Sequence, residues 1–446
     1  MTDRAITGRA SAAPAAVPPA ASPAAALSSA SASAASLSST SASAAAWGAG
    51  SGTSAAARLK QRMPTLDYLE RAARRRIPRF AYDFLEGGTG ADVGIAENRA
   101  ALDAVKLVPR YGAPGPVNTA TELFGTRYSA PLGISPVGVD GLVWPGATRL
   151  LAKAAAKARI PYVVGTLAGA SIEEVAALAG DCTWFQLYGL PGRDHLVTLD
   201  LVRRAEAAGA RALVATLDAP VRSKRPRDLS NGLVVPFRTT ARTVRDVALA
   251  WPWALALAKA GTPQFANMAP YVEAPATMPK TAGFVQTEIK GTFSWEAVKR
   301  LRDAWPRALV MKGVMHPADA ETALSIGVDG ILVSNHGGRQ LDAAPAAIDV
   351  LPAIAATVGT RATVLFDSGI RSGLDVARAL ALGATGTFCG RAFLIGLAGI
   401  GDGGADYVAE LLTEELQVAM GQLGVRDLPS LRGVERRHAG AFAFQP

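Results

Sequence analysis

The sequence predicts an α/β fold: a (β/α)₈ TIM barrel with a long insertion after its fourth strand and a disordered N-terminal tail. Three observations lead to this prediction. From Pro64 onward, eight short apolar runs alternate with amphipathic helical patterns, one connection is much longer than the rest, and the start of the chain is of low complexity. Runs that are apolar throughout suit strands buried on both faces, and eight strand–helix units in series are typical of a closed parallel barrel.

Each strand–helix unit carries its own signals. Helical patterns such as LLAKAAAKAR and DLVRRAEAAG separate the apolar runs. Several units end in Ala-Gly or Leu-Gly directly before the next run, which indicates a helix end followed by a tight turn into a strand. In chain order, the eight runs occupy residues 131–138, 161–167, 183–189, 212–219, 308–314, 330–338, 363–369 and 386–392.

Two segments stand outside this repeat. Residues 11–57 are almost entirely Ala, Ser, Pro, Gly and Thr without a charge, which predicts a disordered tail over 1–60 before a barrel domain over 61–446. An insertion of about residues 221–292 follows the fourth strand, on the side of a barrel where active sites lie. Its apolar stretch 247–261 suits either a segment at a membrane surface or a lid helix packed on the barrel or a partner subunit.

Composition excludes several classes of protein. Hydrophobic residues make up 49% of the 446 and charged residues 19%, so the chain can bury a sizeable core. The net charge of +9 favours anionic partners in general, but the sequence contains no known nucleic-acid-binding motif, so nucleic-acid binding is not predicted. Cys182 and Cys389 form no disulfide framework and lack the spacing of a zinc site, so no metal site is predicted. No apolar stretch is long enough to predict a membrane-spanning helix.

The last two units carry a candidate anion site. The stretches DSGIRSG (367–373) and CGRA (389–392) follow strands seven and eight, where TIM barrels often bind phosphate. Glycines such as Gly369 and Gly390 let backbone N–H groups approach a ligand, and the start of a helix favours an anion. Arg371 and Arg391 add charge-assisted donors. Together these residues predict a phosphate site.

The sixth unit contains SNHGGRQLD (334–342), the most informative stretch. The chain has only four histidines, and a lone histidine is more often structural than catalytic. Here His336 follows a buried strand and precedes two glycines, which predicts that its ring lies at the mouth of the barrel. Arg339 is placed to hold an anionic substrate group, and Asp367 is placed to orient the imidazole. This pattern indicates proton abstraction next to a bound anion.

These motifs resemble the FMN-dependent α-hydroxy acid dehydrogenase and oxidase family. SNHGGRQLD, with the downstream DSGIRSG and GRAF, carries the resemblance, which extends from about Pro64 to about Leu431. Upstream, AYDFLEGG (81–88) resembles the family's substrate tyrosine motif, and WFQLYG (184–189) resembles its flavin-contacting third strand. The resemblance implies FMN as cofactor and the two-electron oxidation of a 2-hydroxy acid to a 2-keto acid.

The resemblance also implies roles for individual residues. Tyr82 and Arg339 would bind the substrate carboxylate with help from Arg225, and Tyr188 would hydrogen-bond the region of the substrate hydroxyl. The implied catalytic residues are His336 as base, Asp367 as its partner, Tyr188, and Lys312 near flavin N1 and the C2 carbonyl. The implied FMN contacts are Ser135, Pro136, Val137, Gly138, Thr166, Gln186, Thr216, Lys312, Ser334 and Asp367, with Gly369, Arg371, Gly390 and Arg391 at the phosphate.

Within the family, Asp367-Ser368-Gly369 and the stretch FSWEAVKRLRDAWP resemble the bacterial lactate and mandelate dehydrogenases, which pass electrons to a membrane quinone. This resemblance implies an L-2-hydroxy acid substrate, a quinone or similar acceptor, and a homotetramer. It also implies a cytoplasmic protein that can contact the cytoplasmic face of the inner membrane through residues 247–261.

Three other functions stay open on the sequence. A soluble 2-hydroxy acid oxidase or lactate monooxygenase of the same family would use O₂ as acceptor. A flavin or phosphosugar barrel isomerase would share the barrel and the phosphate loops, but it would not account for Tyr82, His336 and Arg339 together. A non-catalytic phosphate-binding or scaffold barrel would need none of the catalytic positions that match.

Overall fold

Eight parallel strands close into a barrel in the computed structural model of the chain. The structure describes residues 54–233, 239–289, 291 and 293–444. In the numbering given in the next sentence, the barrel comprises strands β4 to β11, and β11 pairs with β4 to close it. The strands are β1 (Lys106–Leu107), β2 (Thr121–Leu123), β3 (Thr126–Tyr128), β4 (Leu132–Ile134), β5 (Tyr162–Gly165), β6 (Thr183–Leu187), β7 (Ala212–Thr216), β8 (Ala308–Val314), β9 (Gly330–Val333), β10 (Thr363–Phe366), β11 (Gly386–Cys389) and β12 (Arg436–Arg437).

The predicted TIM barrel is confirmed, because each barrel strand lies within one of the eight apolar runs. Every residue of β5, β6, β7 and β9 is buried, as expected for strands covered by helices outside and by packed side chains inside. Most strands are shorter than the runs. After β9, for example, the backbone turns through positive φ values at His336, Gly337 and Gly338. The last residues of these apolar runs therefore form loops at the mouth of the barrel and are not part of the strands.

Helices surround the barrel, with one or more between each pair of successive barrel strands. The helices are α1 (Ala55–Arg62), α2 (Leu66–Arg76), α3 (Arg79–Glu86), α4 (Val93–Ala104), α5 (Asp140–Val143), α6 (Ala147–Ala158), α7 (Ile172–Ala179), α8 (Gly192–Ala207), α9 (Pro226–Ser230), α10 (Ala241–Leu249), α11 (Trp251–Ala260), α12 (Met278–Glu288), α13 (Trp295–Ala304), α14 (Pro317–Ile326), α15 (Ala347–Val358), α16 (Gly373–Ala381), α17 (Arg391–Ile400), α18 (Gly404–Gln422) and α19 (Leu428–Arg432).

The hairpin of β2 and β3 covers the amino ends of the barrel strands. Its Phe124 contacts the first residue of β9, Gly330, and its ring centroid lies 5.4 Å from that of Trp184. Trp184 in turn lies 5.3 Å from Phe388 and donates its indole N–H to the Tyr128 hydroxyl at 3.1 Å. Because packed aromatic rings close this end, the opposite, carboxyl end is where a ligand can enter.

The predicted tail extends too far toward the domain. Helix α1 begins at Ala55, with the Ser54 side chain as its N-cap, so residues 55–60 are helical. Residues 1–53 of the predicted tail lie outside the described residues.

The insertion lies between β7 and α13, and its described part contains α9 to α12. Residues 234–238, 290 and 292 lie outside the described residues. Trp253 of α11 is buried: its indole N–H donates to the Leu142 carbonyl at 3.1 Å, and its ring meets Phe80 edge-on at 5.7 Å. Trp251 on the same helix is 68% exposed. Within the described ranges, no helix combines the length and apolar character needed to cross a membrane.

Candidate active site

Side chains from three neighbouring strands join at the carboxyl end of the barrel. Gln186 of β6 donates from Nε2 to Thr216 Oγ1 of β7 at 2.9 Å. Thr166, directly after β5, donates from Oγ1 to the Gln186 carbonyl at 2.7 Å, and its N–H donates to Gln186 Oε1 at 3.3 Å. The structure thus brings these three predicted cofactor residues together, and their mutual hydrogen bonds fix the buried Gln186 amide in one orientation.

Lys312 of β8 lies in the middle of this mouth. Its Nζ donates to Ser334 Oγ at 2.9 Å and lies 3.7 Å from one carboxylate oxygen of Asp218 and one of Asp367. Gly313, with φ of +92°, lets Asp218 pack against β8 next to Lys312, because a Cβ at residue 313 would lie 2.5 Å from Asp218 Cβ. Burial alone would lower the pKa of Lys312, but the two carboxylates outweigh burial and raise it. Lys312 is therefore a buried ammonium at neutral pH.

The carboxylate that pairs with His336 is Asp218, so the predicted pairing of His336 with Asp367 is wrong. Asp218 Oδ1 lies 2.8 Å from His336 Nδ1. Asp367 instead accepts hydrogen bonds from Ser135 Oγ at 3.3 Å and from Ser368 Oγ at 2.9 Å. The backbone gives the reason: His336 stands on a left-handed turn, with φ of +57°, and its ring meets the loop after β7 rather than the loop after β10.

Burial and charge set the protonation of this pair. Burial lowers the pKa of His336 below its ordinary value, Asp218 opposes that effect, and Lys312 adds to it. Burial would raise the pKa of the Asp218 carboxyl, but His336 and Lys312 hold it below its ordinary value. The site therefore contains an imidazole that is neutral at neutral pH. The Asp218 carboxylate holds this ring at Nδ1, and its Nε2 can accept a proton.

Two partly buried arginines, Arg225 and Arg339, add positive charge close to His336. Burial lowers the pKa of Arg339 well below its ordinary value, and the nearby Arg225 and Arg391 lower it further. Burial also lowers the pKa of Arg225, whose Nε has no hydrogen-bond partner among the described residues. Burial raises the pKa of Tyr188, whose ring lies within the electrostatic reach of both Arg225 and Arg339. Partly buried cations that repel each other are stabilised when an anion binds between them, which makes this part of the mouth suited to a carboxylate.

Tyr82 does not lie with these arginines, so its predicted place beside Arg339 is wrong. Its hydroxyl donates to Glu70 of α2 at 2.9 Å. The residue against Arg339 is Phe84, whose ring centroid lies 5.0 Å from the guanidinium carbon. Arg339 also donates to the carbonyls of Phe84 at 2.7 Å and Gly87 at 2.6 Å. Residues two apart on a helix point about 200° apart, so only one of Tyr82 and Phe84 can face the mouth.

The predicted phosphate residues meet at the ends of β10 and β11. Arg371 donates to Glu86 at 2.7 Å, while its buried Nη1 has no hydrogen-bond partner in the described part of the chain. Burial lowers the pKa of Arg391 to about 10. A Cβ at Gly390 would lie 2.6 Å from Val137, so the loop after β4 packs tightly onto this turn. Arg391 donates to the carbonyls of Leu85 at 2.9 Å, Gly337 at 2.8 Å and Gly87 at 3.3 Å.

The loop after β4 completes this edge of the mouth. Ser135 N donates to the Cys389 carbonyl at 3.2 Å, and the predicted cofactor residues Pro136, Val137 and Gly138 follow it in the loop. Gly369 adopts φ of +100°, which only glycine takes without strain. Because β4, β11 and β10 are neighbours in the barrel, the residues predicted from three distant parts of the chain lie along one edge.

Two residues of the mouth receive no role from the sequence analysis, Asp218 and Phe84. The signal for Asp218 is an acidic residue two positions after Thr216, the last residue of β7, because such residues point into the mouth of a barrel. The signal for Phe84 is the spacing of buried Ala81 and Leu85, which places Phe84 with them on the inner face of α3.

Comparison with known proteins gives the context of this geometry. The model of the FMN-dependent dehydrogenase family matches residues 73–436. L-lactate dehydrogenase of Caulobacter vibrioides (strain NA1000 / CB15N) is 41% identical over 369 residues, 82% of this chain and 95% of that protein. The crystal structure of the monotopic membrane protein (S)-mandelate dehydrogenase aligns with a TM-score of 0.78 and 36% identity, over 82% of this chain and 97% of that one. The crystal structure of mandelate oxidase aligns with a TM-score of 0.71 and 37% identity, over 84% of this chain and 98% of that one.

The matched region includes all eight barrel strands and every side chain of the mouth described above. These relatives include dehydrogenases and an oxidase, and all of them are named for lactate or mandelate. The match decides against the isomerase and the non-catalytic barrel: the chain belongs to the FMN-dependent dehydrogenase family, as an oxidoreductase of α-hydroxy acids that uses FMN.

Proposed function

We propose that the enzyme oxidises an L-2-hydroxy acid of the lactate or mandelate type to the 2-keto acid and passes the electrons to a membrane quinone. One observation carries the chemical half of the proposal: the His336–Asp218 pair, at 2.8 Å, lies beside the partly buried cations Arg225 and Arg339. A base next to a carboxylate site fits a substrate whose carboxylate and reacting hydroxyl are on adjacent carbon atoms.

The side chains of the mouth divide the work as follows. Arg339 and Arg225 hold the substrate carboxylate through charge-assisted hydrogen bonds. Tyr188, whose pKa burial raises, keeps its proton and donates to the substrate oxygen. His336 accepts a proton from the substrate at Nε2, and Asp218 stabilises the imidazolium that results. The substrate loses two electrons and two protons in all: His336 takes one proton, and FMN, when bound, would take the two electrons and the second proton.

The residues present fit FMN. A phosphate group supplies the acceptor that the buried Nη1 of Arg371 lacks, and it offsets the buried charge of Arg391. Lys312, kept charged by two carboxylates, stabilises negative charge on a reduced flavin ring. In this proposal Asp367 holds Lys312 in place and does not serve as the partner of the base. The remaining contacts to ring and ribityl chain fall to Ser135, Pro136, Val137, Gly138, Thr166, Gln186, Thr216 and Ser334, with Gly369 and Gly390 at the phosphate.

The membrane half of the proposal comes from the surface of the insertion. Apolar side chains of α10 and α11, here called the insertion patch, are 49–72% exposed: Val244, Leu249, Trp251 and Leu255. Exposed Arg242, Arg245 and Lys259 flank the patch. Apolar side chains bordered by cations are typical of segments that lie at an anionic lipid surface. We therefore propose that the enzyme docks on the membrane through this patch; the cytoplasmic face of the inner membrane, the homotetramer and the quinone acceptor are proposed from the family resemblance.

Anaerobic titration of the flavin tests the proposal. L-lactate, (S)-mandelate and glycolate are added separately to the purified yellow protein without oxygen, and the visible flavin band is followed. We expect lactate or mandelate to bleach the band and a short-chain quinone to restore it faster than O₂ does. Failure of every acid to bleach the bound flavin would overturn the substrate class. Rapid recovery with O₂ and peroxide release, without recovery by quinone, would identify a soluble oxidase instead.

A further inference from the structure

Ser368 is a buried residue in an unusual conformation. It follows Asp367 in the loop after β10, is 8% exposed, and has φ of +83°. Residues with a Cβ rarely adopt this left-handed region, and glycine adopts it without cost. A serine in such a position indicates that its side chain has a use that offsets the backbone strain.

The Ser368 hydroxyl makes three hydrogen bonds, which is its full capacity. Oγ accepts from Asn335 N at 3.2 Å and from Gly337 N at 3.1 Å. It donates to Asp367 Oδ1 at 2.9 Å. The two amides come from one loop and the carboxylate from another, so a single hydroxyl links the loops after β9 and β10.

Both loops carry chemistry in the proposed function. Asn335 and Gly337 are the residues on either side of His336, whose own N–H donates to Ser334 Oγ at 3.1 Å. The other oxygen of Asp367, Oδ2, lies 3.7 Å from Lys312 Nζ. The hydroxyl therefore lies between the backbone that presents the base and the carboxylate that faces the lysine.

We infer that Ser368 is a positioning residue whose hydroxyl fixes the His336 loop and the Asp367–Lys312 pair in one arrangement. The inference rests on the proposed function, since it needs His336 as base. The Ser368 hydroxyl makes no hydrogen bond to the arginines assigned to the carboxylate or the phosphate; its link to Arg391 runs only through the Gly337 backbone. Its loss therefore slows the chemical step and leaves substrate affinity and FMN content unchanged.

A matched pair of variants separates the hydroxyl from the backbone. Ser368→Gly removes the hydroxyl and relieves the positive φ, whereas Ser368→Ala removes the hydroxyl and keeps the strain. We expect both variants to lower the anaerobic rate of flavin reduction by about 10- to 100-fold. A misplacement of a reacting group by about 1 Å costs up to about 100-fold in rate. We also expect KM and the flavin-to-protein ratio to stay within about twofold of the wild type.

A control reports what loss of stability alone does. Ser294→Ala removes the N-cap of α13, where the side chain accepts from Ala297 N at 3.2 Å, far in sequence from both loops. This variant should lower the melting temperature without changing the rate of flavin reduction. A slow Ala variant with a Gly variant of normal rate would show that only the backbone matters and would overturn the inference. So would a normal rate in both. If the wild type itself is not bleached by any hydroxy acid, the proposed function fails instead.

Discussion

The barrel mouth and the insertion follow opposite rules of burial. In the mouth, Lys312 and Asp367 are buried, the Asp218 side chain is 11% exposed, and each has charged or hydrogen-bonded partners. On the insertion, Leu249 and Trp251 are large apolar side chains that are 72% and 68% exposed. Unpaired buried charge and exposed apolar surface both cost free energy unless something compensates for them.

The difference shows where each part of the function lies. Around Lys312 and His336 the charges compensate one another, whereas buried guanidinium atoms of Arg225 and Arg371 have no hydrogen-bond partner among the described residues and suit a carboxylate and a phosphate. The insertion patch has no such compensation among the described residues, and in the proposed function an anionic membrane surface supplies it. The proposed function therefore has two parts: chemistry in the mouth and membrane attachment through the insertion. The predictions below test whether the two are separable.

The largest expected effect is the loss of the base in the mouth. His336→Gln should lower the rate of anaerobic flavin reduction by about 10⁴-fold, because a glutamine cannot accept the substrate proton. FMN should stay bound, since the predicted phosphate contacts are untouched. Stopped-flow absorbance at the flavin band measures the rate. A variant that reduces its flavin at the normal rate would contradict the assignment.

The same base fixes the pH dependence of the wild type. Burial lowers the pKa of His336 below the ordinary value of about 6.5, so the imidazole is neutral at pH 7. The rate of flavin reduction should therefore be level above neutrality and fall as pH drops through the lowered pKa, where the protonated ring cannot act as a base. His336→Gln should lose this acid limb.

The smallest expected effect on chemistry comes from the insertion patch. Replacing Leu249, Trp251 and Leu255 together by Ser should abolish binding to vesicles that contain anionic lipid. It should leave flavin reduction by the acid within about twofold of the wild type, because all three side chains are 49–72% exposed on the insertion and none has a role in the proposed chemistry. Val418→Ser, at a position 63% exposed on α18, is the control for loss of an apolar surface residue. Unchanged vesicle binding by the triple variant would instead indicate a lid packed on a partner subunit.

Local sequence pattern is enough to predict most of the fold and part of the site. The eight strands follow from apolar runs, and the positions of Lys312 and Arg391 follow from strand ends, because side chains there point into the mouth whatever the loops do. The partner of His336 does not follow, since it depends on the backbone φ of one residue in a loop. The choice between Tyr82 and Phe84 depends on how α3 is rotated against the barrel, which only tertiary packing decides.

The most direct test of the central claim compares Asp218→Asn with Asp367→Asn in single-turnover flavin reduction across pH. Asp218 raises the pKa of His336, so its neutralisation should move the acid limb to lower pH and lower the plateau rate by about 10²-fold or more. Asp367→Asn should leave the acid limb in place, because that carboxylate faces Lys312 and Ser368. An acid limb that moves in Asp367→Asn and stays in Asp218→Asn would contradict the account.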